Sequence, residues 1–316
     1  MSEQPGELRK INWCELFPFT RIFKTFRVAV QPGKLGLALA GVILMGLLGG
    51  LLDGLWPSSV KPVGQELWAY WQVPDIQVWR EQTQANRREL VQKLYGPTDL
   101  LKDKAPDPKV LNSPQAVKRA LAQLKEKFRD ESAKIKDKAA IAALAKSYGS
   151  TYNLLAPYRT RGVFASFLEY EQVAIDHFLD EARKVVLLDW WSVARNTNVV
   201  IGARYLTPDV RRPGDFDDIG MIGTLLLMLR GWQWMFTQHP VFAVLFGLGS
   251  LAIWSVFGGA ICRMAALNTA RDEQIAPRAA LEFASRKFLA FFTAPLLPLL
   301  MIGGIGLALW LGGFLV

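Results

Sequence analysis

Three stretches of this chain, Leu35–Trp56, Pro240–Cys262 and Leu289–Val316, run for 22, 23 and 28 residues and together carry one formal charge, Asp53. At a rise of ~1.5 Å per residue, about 20 apolar residues in a helix match a hydrocarbon core of ~30 Å. Asp53 lies within a turn of the far end of its run, so it can sit at the interface instead of the bilayer centre. Pro295 and Pro298 each remove a backbone donor, which predicts a bend there and a crossing made by Pro298–Val316. The pattern predicts an all-α chain, a polytopic helical membrane protein with three visible spans.

Charge is placed with equal bias. Of 37 Lys+Arg and 28 Asp+Glu, 26 and 21 fall in residues 57–238. This distribution excludes a simple soluble enzyme and a disordered polyelectrolyte, and two cysteines exclude a disulfide-stapled scaffold. Residues 1–34 hold six basic residues against three acids, and the loop 263–288 holds five against three. Short basic segments stay cytoplasmic, whereas long loops translocate regardless of charge. Three spans put both basic segments inside and residues 57–238 outside. Cys14 and Cys262 then fall on the cytoplasmic side, and without a cleavage pattern the first span reads as an uncleaved signal anchor.

The expected organisation follows in order. Residues 1–34 form a cytoplasmic amphipathic segment, its aromatics and bases between 13 and 30 suited to the headgroup layer. Residues 35–56 form span 1. Residues 57–238 form a large helical extracytoplasmic domain ending in an interfacial or re-entrant helix, 219–238. Its clean apolar part stops at Arg230, too short for a crossing, and Trp232 and Trp234 favour headgroup depth. Residues 240–262 form span 2, 263–288 a basic cytoplasmic loop, and 289–316 span 3. The apolar ending at Val316 fits either a natural terminus or a longer protein with further spans.

Within the domain, Ile76–Tyr95 reads as a helix closed by Gly96-Pro97, and 97–114 as a loop. Ser113 and Pro114 supply a cap and first-turn proline. Val117, Leu121, Leu124, Phe128 and Ile135 then follow 3–4 spacing to a polar break near Ser132, and Ala139–Tyr148 resumes until Gly149. One rod and a bent hairpin remain open. Val163–Trp191 reads as a second long amphipathic helix, expected to pack against 113–149. The basic excess of 101–138 is read as a solvated face. Nucleic acid is not expected as a partner, because no reader motif is present.

Chemistry-bearing patterns are sparse. His177, with Asp180 and Glu181 one turn ahead, is the best metal candidate, but zinc needs three or four ligands and the chain has only one other histidine. A solvated acidic helix face is the favoured reading. Asp215, Asp217 and Asp218 lack the rest of a calcium loop and read as an acidic helix cap. His239 reads as a polar anchor at the mouth of span 2. No catalytic constellation and no cofactor motif are found. Gly46, Gly50 and Gly54, and likewise Gly304, Ala308 and Gly312, place small residues on one helix face and favour close packing, within the chain or in a homo-oligomer. Arg263, Arg271, Arg286 and Lys287 suit lipid phosphates or a cytoplasmic partner, although orientation alone also needs them.

Two stretches, IFKTFRVAVQPGKLGLALAGVIL and FGGAICRMAALNTARDEQIAPRAALEFASRKFLAFFTAPLLPLL, resemble polytopic inner-membrane proteins of planctomycete-type bacteria, a family with no assigned reaction. The resemblance covers the membrane portion and implies further spans after residue 316. It carries over no cofactor or catalytic residue. The resulting expectation is a non-enzymatic protein of the bacterial inner membrane. It would act as an envelope scaffold or complex subunit, in contact with the lipid bilayer and with a protein partner through residues 57–238. A transporter or lipid-handling component is the alternative.

Overall fold

The computed structural model describes residues 30–95, 115–197, 200, 219–271 and 273–313. The amphipathic 13–30 stretch up to residue 29, Cys14, the 97–114 loop with its Ser113-Pro114 cap, and Asp215, Asp217 and Asp218 lie outside the described residues. Among the described residues the chain is helical, without strands. The helices are α1 (Pro32–Leu55), α2 (Glu66–Gln72), α3 (Ile76–Leu94), α4 (Ala116–Ser132), α5 (Lys138–Leu155), α6 (Val163–Val186), α7 (Met221–Gln238), α8 (Pro240–Arg271), α9 (Pro277–Arg286) and α10 (Phe288–Gly313). Three of them, α1, α8 and α10, are long and apolar enough to cross a membrane. The chain divides into two units, Met1–Leu48 with Leu245–Val316, and Gly49–Val244.

The first unit is built around small residues, though not those the sequence pattern singles out. A side chain at Gly46, Gly304 or Gly312 would meet nothing within 4 Å, and Ala308 is exposed. Close approach occurs instead at Gly259, where an added Cβ would lie 2.9 Å from the Phe291 ring, while at Gly41 it would make ordinary contact with Phe257 and Trp254. Leu37, Ala260, Met264, Ala280 and Ala284 form the buried cluster. Ala280 and Ala284 are one turn apart on α9, whose Pro277 supplies a preset φ at its start.

Two expectations are corrected here. The helix α10 runs unbroken through Pro295 and Pro298. The rings remove the bonds to the Phe291 and Ala294 carbonyls, and the flanking ladder holds, so α10 begins at Phe288, well before Pro298; residues 314–316 lie outside the described residues. The expected loop 263–288 is also largely helical: α8 continues past Cys262 to Arg271, and α9 starts at Pro277.

In the second unit α4 and α5 form a hairpin, which settles the open choice. Asp137 turns the chain by accepting the Ala139 N–H at 3.1 Å, the side-chain cap that starts α5. Val117, Leu121 and Leu124 pack with Val91 of α3 and with Tyr148 and Leu155 of α5. Gly149 does not stop α5, which continues to Leu155. Helical backbone there costs glycine only about 1 kcal/mol relative to alanine, less than the burial of Leu155 returns.

The main partner of α6 is α7, not the 113–149 helix. Tyr170, wholly buried, packs on Trp68 at 4.4 Å between ring centroids and donates to the Leu227 carbonyl at 2.9 Å. The Phe167 ring meets Trp232 edge-on at 4.9 Å. The buried face of α7, with Gly223, Leu227, Gly231, Trp234 and Met235, therefore belongs to the core of this unit. All seven residues of α2 are buried as well. The helix α6 ends at Val186, short of the expected Trp191, because Leu188 adopts a left-handed φ of 72°.

Glu171 is half-buried in the α6–α7 packing, its Oε1 covered, without a hydrogen bond and close to Gly231. Burial pushes this carboxyl up to about 7. A carboxyl whose folded pKa exceeds its unfolded value binds more protons when folded, so its contribution is complete at acid pH and is lost as pH rises from about 4.5 to about 7. Thermal unfolding of the protein in lipid discs should therefore show a midpoint that falls between pH 5 and 8. Glu171→Gln should remove that part of the slope and stabilise the protein at pH 8 by roughly 1 kcal/mol, a figure discounted for screening at a partly exposed group. An unchanged slope in Glu171→Gln would contradict this.

Candidate functional site

A cavity of about 380 Å³ in the second unit is lined by Lys61, Glu66, Arg80, Arg87, Arg88 and His239 among others. That volume lies in the lower part of the range for small-molecule sites. Local structure explains the convergence. Arg80, Arg87 and Arg88 lie at i, i+7 and i+8 on α3 and share a face. Glu66 is the first residue of α2, the helix end where a carboxylate is favoured. His239 is the single residue between α7 and α8. Lys61 lies on the connection after α1, pinned where Arg161 N–H donates to the Pro62 carbonyl at 2.9 Å and Gly64 N–H to Arg159 at 3.2 Å.

The cavity is electrically unbalanced. Glu66 pairs with Arg80 and also receives the Trp234 indole N–H at 3.4 Å. Lys61 donates to the Asp53 backbone carbonyl at 2.7 Å and makes no ion pair among the described residues. Arg87 is 6% exposed, its Nε has no hydrogen-bond partner, and it makes no ion pair among the described residues. Burial pushes its pKa down, and the neighbouring Arg88 guanidinium adds to the effect. Four cations thus face one carboxylate.

His239 is 5% exposed, packs edge-on against the Trp234 ring at 4.8 Å, and has neither ring nitrogen in a hydrogen bond. Its Nε2 lies 3.9 Å from Glu66 Oε1, beyond hydrogen-bond range. Burial lowers its pKa by more than the Glu66 carboxylate raises it, and Arg80 lowers it further. The ring is therefore neutral at neutral pH, and the contact with Glu66 is not a salt bridge there.

The metal candidate does not assemble. His177 Nε2 is hydrogen-bonded to the Ile219 carbonyl at 2.8 Å, Asp180 pairs with Arg183 at 3.1 Å, and the buried Glu181 with Lys184 at 2.5 Å. No group of three His, Cys, Asp or Glu suited to a metal occurs among the described residues. Gly50 and Gly54 are open, as Gly46 is. Of the loop cations, Arg263 stacks over Phe283 at 4.6 Å and Arg286 pairs with Glu282 at 2.6 Å, while Arg271 and Lys287 are exposed.

Asp53 has a specific role. Its carboxylate accepts the N–H groups of Phe164 at 3.0 Å and Ala165 at 2.9 Å, capping α6 from the end of α1. The cavity is not legible from any single element, because the α3 arginines meet Lys61, Glu66 and His239 from three other segments. The legible hint was Arg80 with Arg87-Arg88 on one helix face; His239, read from the sequence as a polar anchor, joins them in the cavity. No family model matches the chain, and no curated protein or solved structure is significantly similar to it.

Proposed function

We propose that the protein is a non-enzymatic integral membrane protein of the bacterial inner membrane that serves as an envelope scaffold or complex subunit. Its N-terminus would be cytoplasmic and residues 57–238 extracytoplasmic. One observation carries the scaffold reading: α6 is apolar on two faces, and one is open. Val163, Phe167, Tyr170 and Ala174 are buried, whereas Leu168, Ile175, Leu179 and Val186, about 130° round the helix at 3.6 residues per turn, are exposed. Trp190 and Trp191 extend the open stripe, the latter 84% exposed. Contiguous exposed apolar surface in a charged unit marks an interaction site, and tryptophans are frequent anchors of such contacts.

Extraction in native lipid discs, followed by mass spectrometry and mass photometry, tests this. The expected result is a stoichiometric protein partner or a second copy of the chain, lost in Ile175→Glu/Leu179→Glu, with the thermal midpoint unchanged. A single chain with lipid only would contradict the scaffold reading. It would favour the second one, lipid handling, which the basic cavity supports.

A further inference from the structure

We propose that the cavity between Lys61, Arg87, Arg88 and His239 is a binding site for a phosphate-type oxyanion, either free phosphate or the phosphate of a lipid headgroup. This goes beyond the scaffold reading and does not depend on it. Three features converge. A buried guanidinium that lacks both a carboxylate and a partner for its Nε is costly, and a bound oxyanion would supply both. Arginine presents a planar fork that fits phosphate oxygens, and Arg88 brings a second fork to the same cavity. Neutral His239 offers one N–H donor with no competing acceptor in hydrogen-bond range, and Lys61 adds an ammonium. Glu66 does not cancel this field, because Arg80 already occupies it.

The lining also belongs to the chain segments that border the apolar runs. Lys61 follows the end of α1 by six residues, and His239 immediately precedes α8. Such segments lie at headgroup level, where lipid phosphates are concentrated. A site there meets phosphate from the bilayer and from solution, and the chemistry that binds it is the same.

The test uses the full chain in lipid discs of phosphatidylcholine. Inorganic phosphate is titrated at constant ionic strength against chloride, with heat and thermal midpoint as readouts. In a second arm, phosphatidic acid is added to the discs at a few mole per cent. Saturable 1:1 binding of inorganic phosphate, weakened about tenfold in Arg88→Gln and in Arg87→Lys, would establish a free-phosphate site. Saturation only by phosphatidic acid, with the same sensitivity, would establish a headgroup site.

Lys125→Gln/Arg129→Gln on the exposed face of α4 should leave either response unchanged. Arg88 is exposed, so its variant folds even if the buried Arg87→Lys does not. Absence of saturable binding in both arms overturns the proposal. So does binding that Arg88→Gln leaves intact, or that the α4 variant weakens equally.

Discussion

Glu66→Ala should destabilise the second unit by about 3–5 kcal/mol, the range for breaking a buried ion pair by removing one partner. Glu66 is 4% exposed and Arg80 is mostly covered. Without the carboxylate, Arg80 joins Lys61, Arg87 and Arg88 in one cavity with no counter-charge, and the Trp234 indole loses its acceptor. Glu66→Gln keeps an acceptor for the indole and a donor-acceptor group beside Arg80, so its cost should be distinctly smaller. Thermal unfolding in lipid discs, followed by near-ultraviolet circular dichroism, measures both. Equal and negligible losses would mean that Glu66 does not balance the cavity.

The second large effect concerns the joint between α1 and α6. Gly162→Val should cost about 2 kcal/mol or more, because a Cβ at residue 162 would occupy the place of the Asp53 carboxylate. The carboxylate would have to leave the Phe164 and Ala165 N–H groups, and α6 would lose its cap. Asp53→Ala removes the same two bonds by another route. The double variant should therefore be little worse than either single one, a coupling of at least 1 kcal/mol that separates a shared cap from two independent injuries. Full additivity would show that Gly162 and Asp53 do not act through one contact.

Asp53 also shows what the sequence made legible. Its position at the end of an apolar run was plain, and so was its polar surroundings, but its partner lies 111 residues away and no periodicity points to it. The three long apolar helices were readable because length and hydropathy are local quantities. So were the starts of α3 and α6 and the core face of α4, where Val117, Leu121 and Leu124 repeat at helical spacing.

Choices between two apolar faces were not legible. Leu168, Ile175 and Leu179 have the pattern of a core stripe, yet the buried face of α6 is the one holding Tyr170 and Ala174, where the packing against α7 is closest. Among the described residues the glycines of the small-residue stripes of α1 and α10 meet no neighbouring side chain, which leaves packing between copies as their expected use. Any glycine permits close approach, but only a facing side chain such as Phe291 at Gly259 uses it. The cavity needed α2, α3 and the α7–α8 junction brought together, which no single stretch encodes.

The proposed topology puts residues 57–238 and the loop 263–288 on opposite sides of the membrane. In a background with Cys14 and Cys262 replaced by serine, Ser150→Cys and Ser285→Cys place single thiols at exposed positions on α5 and α9. In intact cells a membrane-impermeant maleimide should label Ser150→Cys, and it should reach Ser285→Cys only after permeabilisation. Labelling of both thiols in intact cells, or of Ser285→Cys alone, would contradict the three-span orientation.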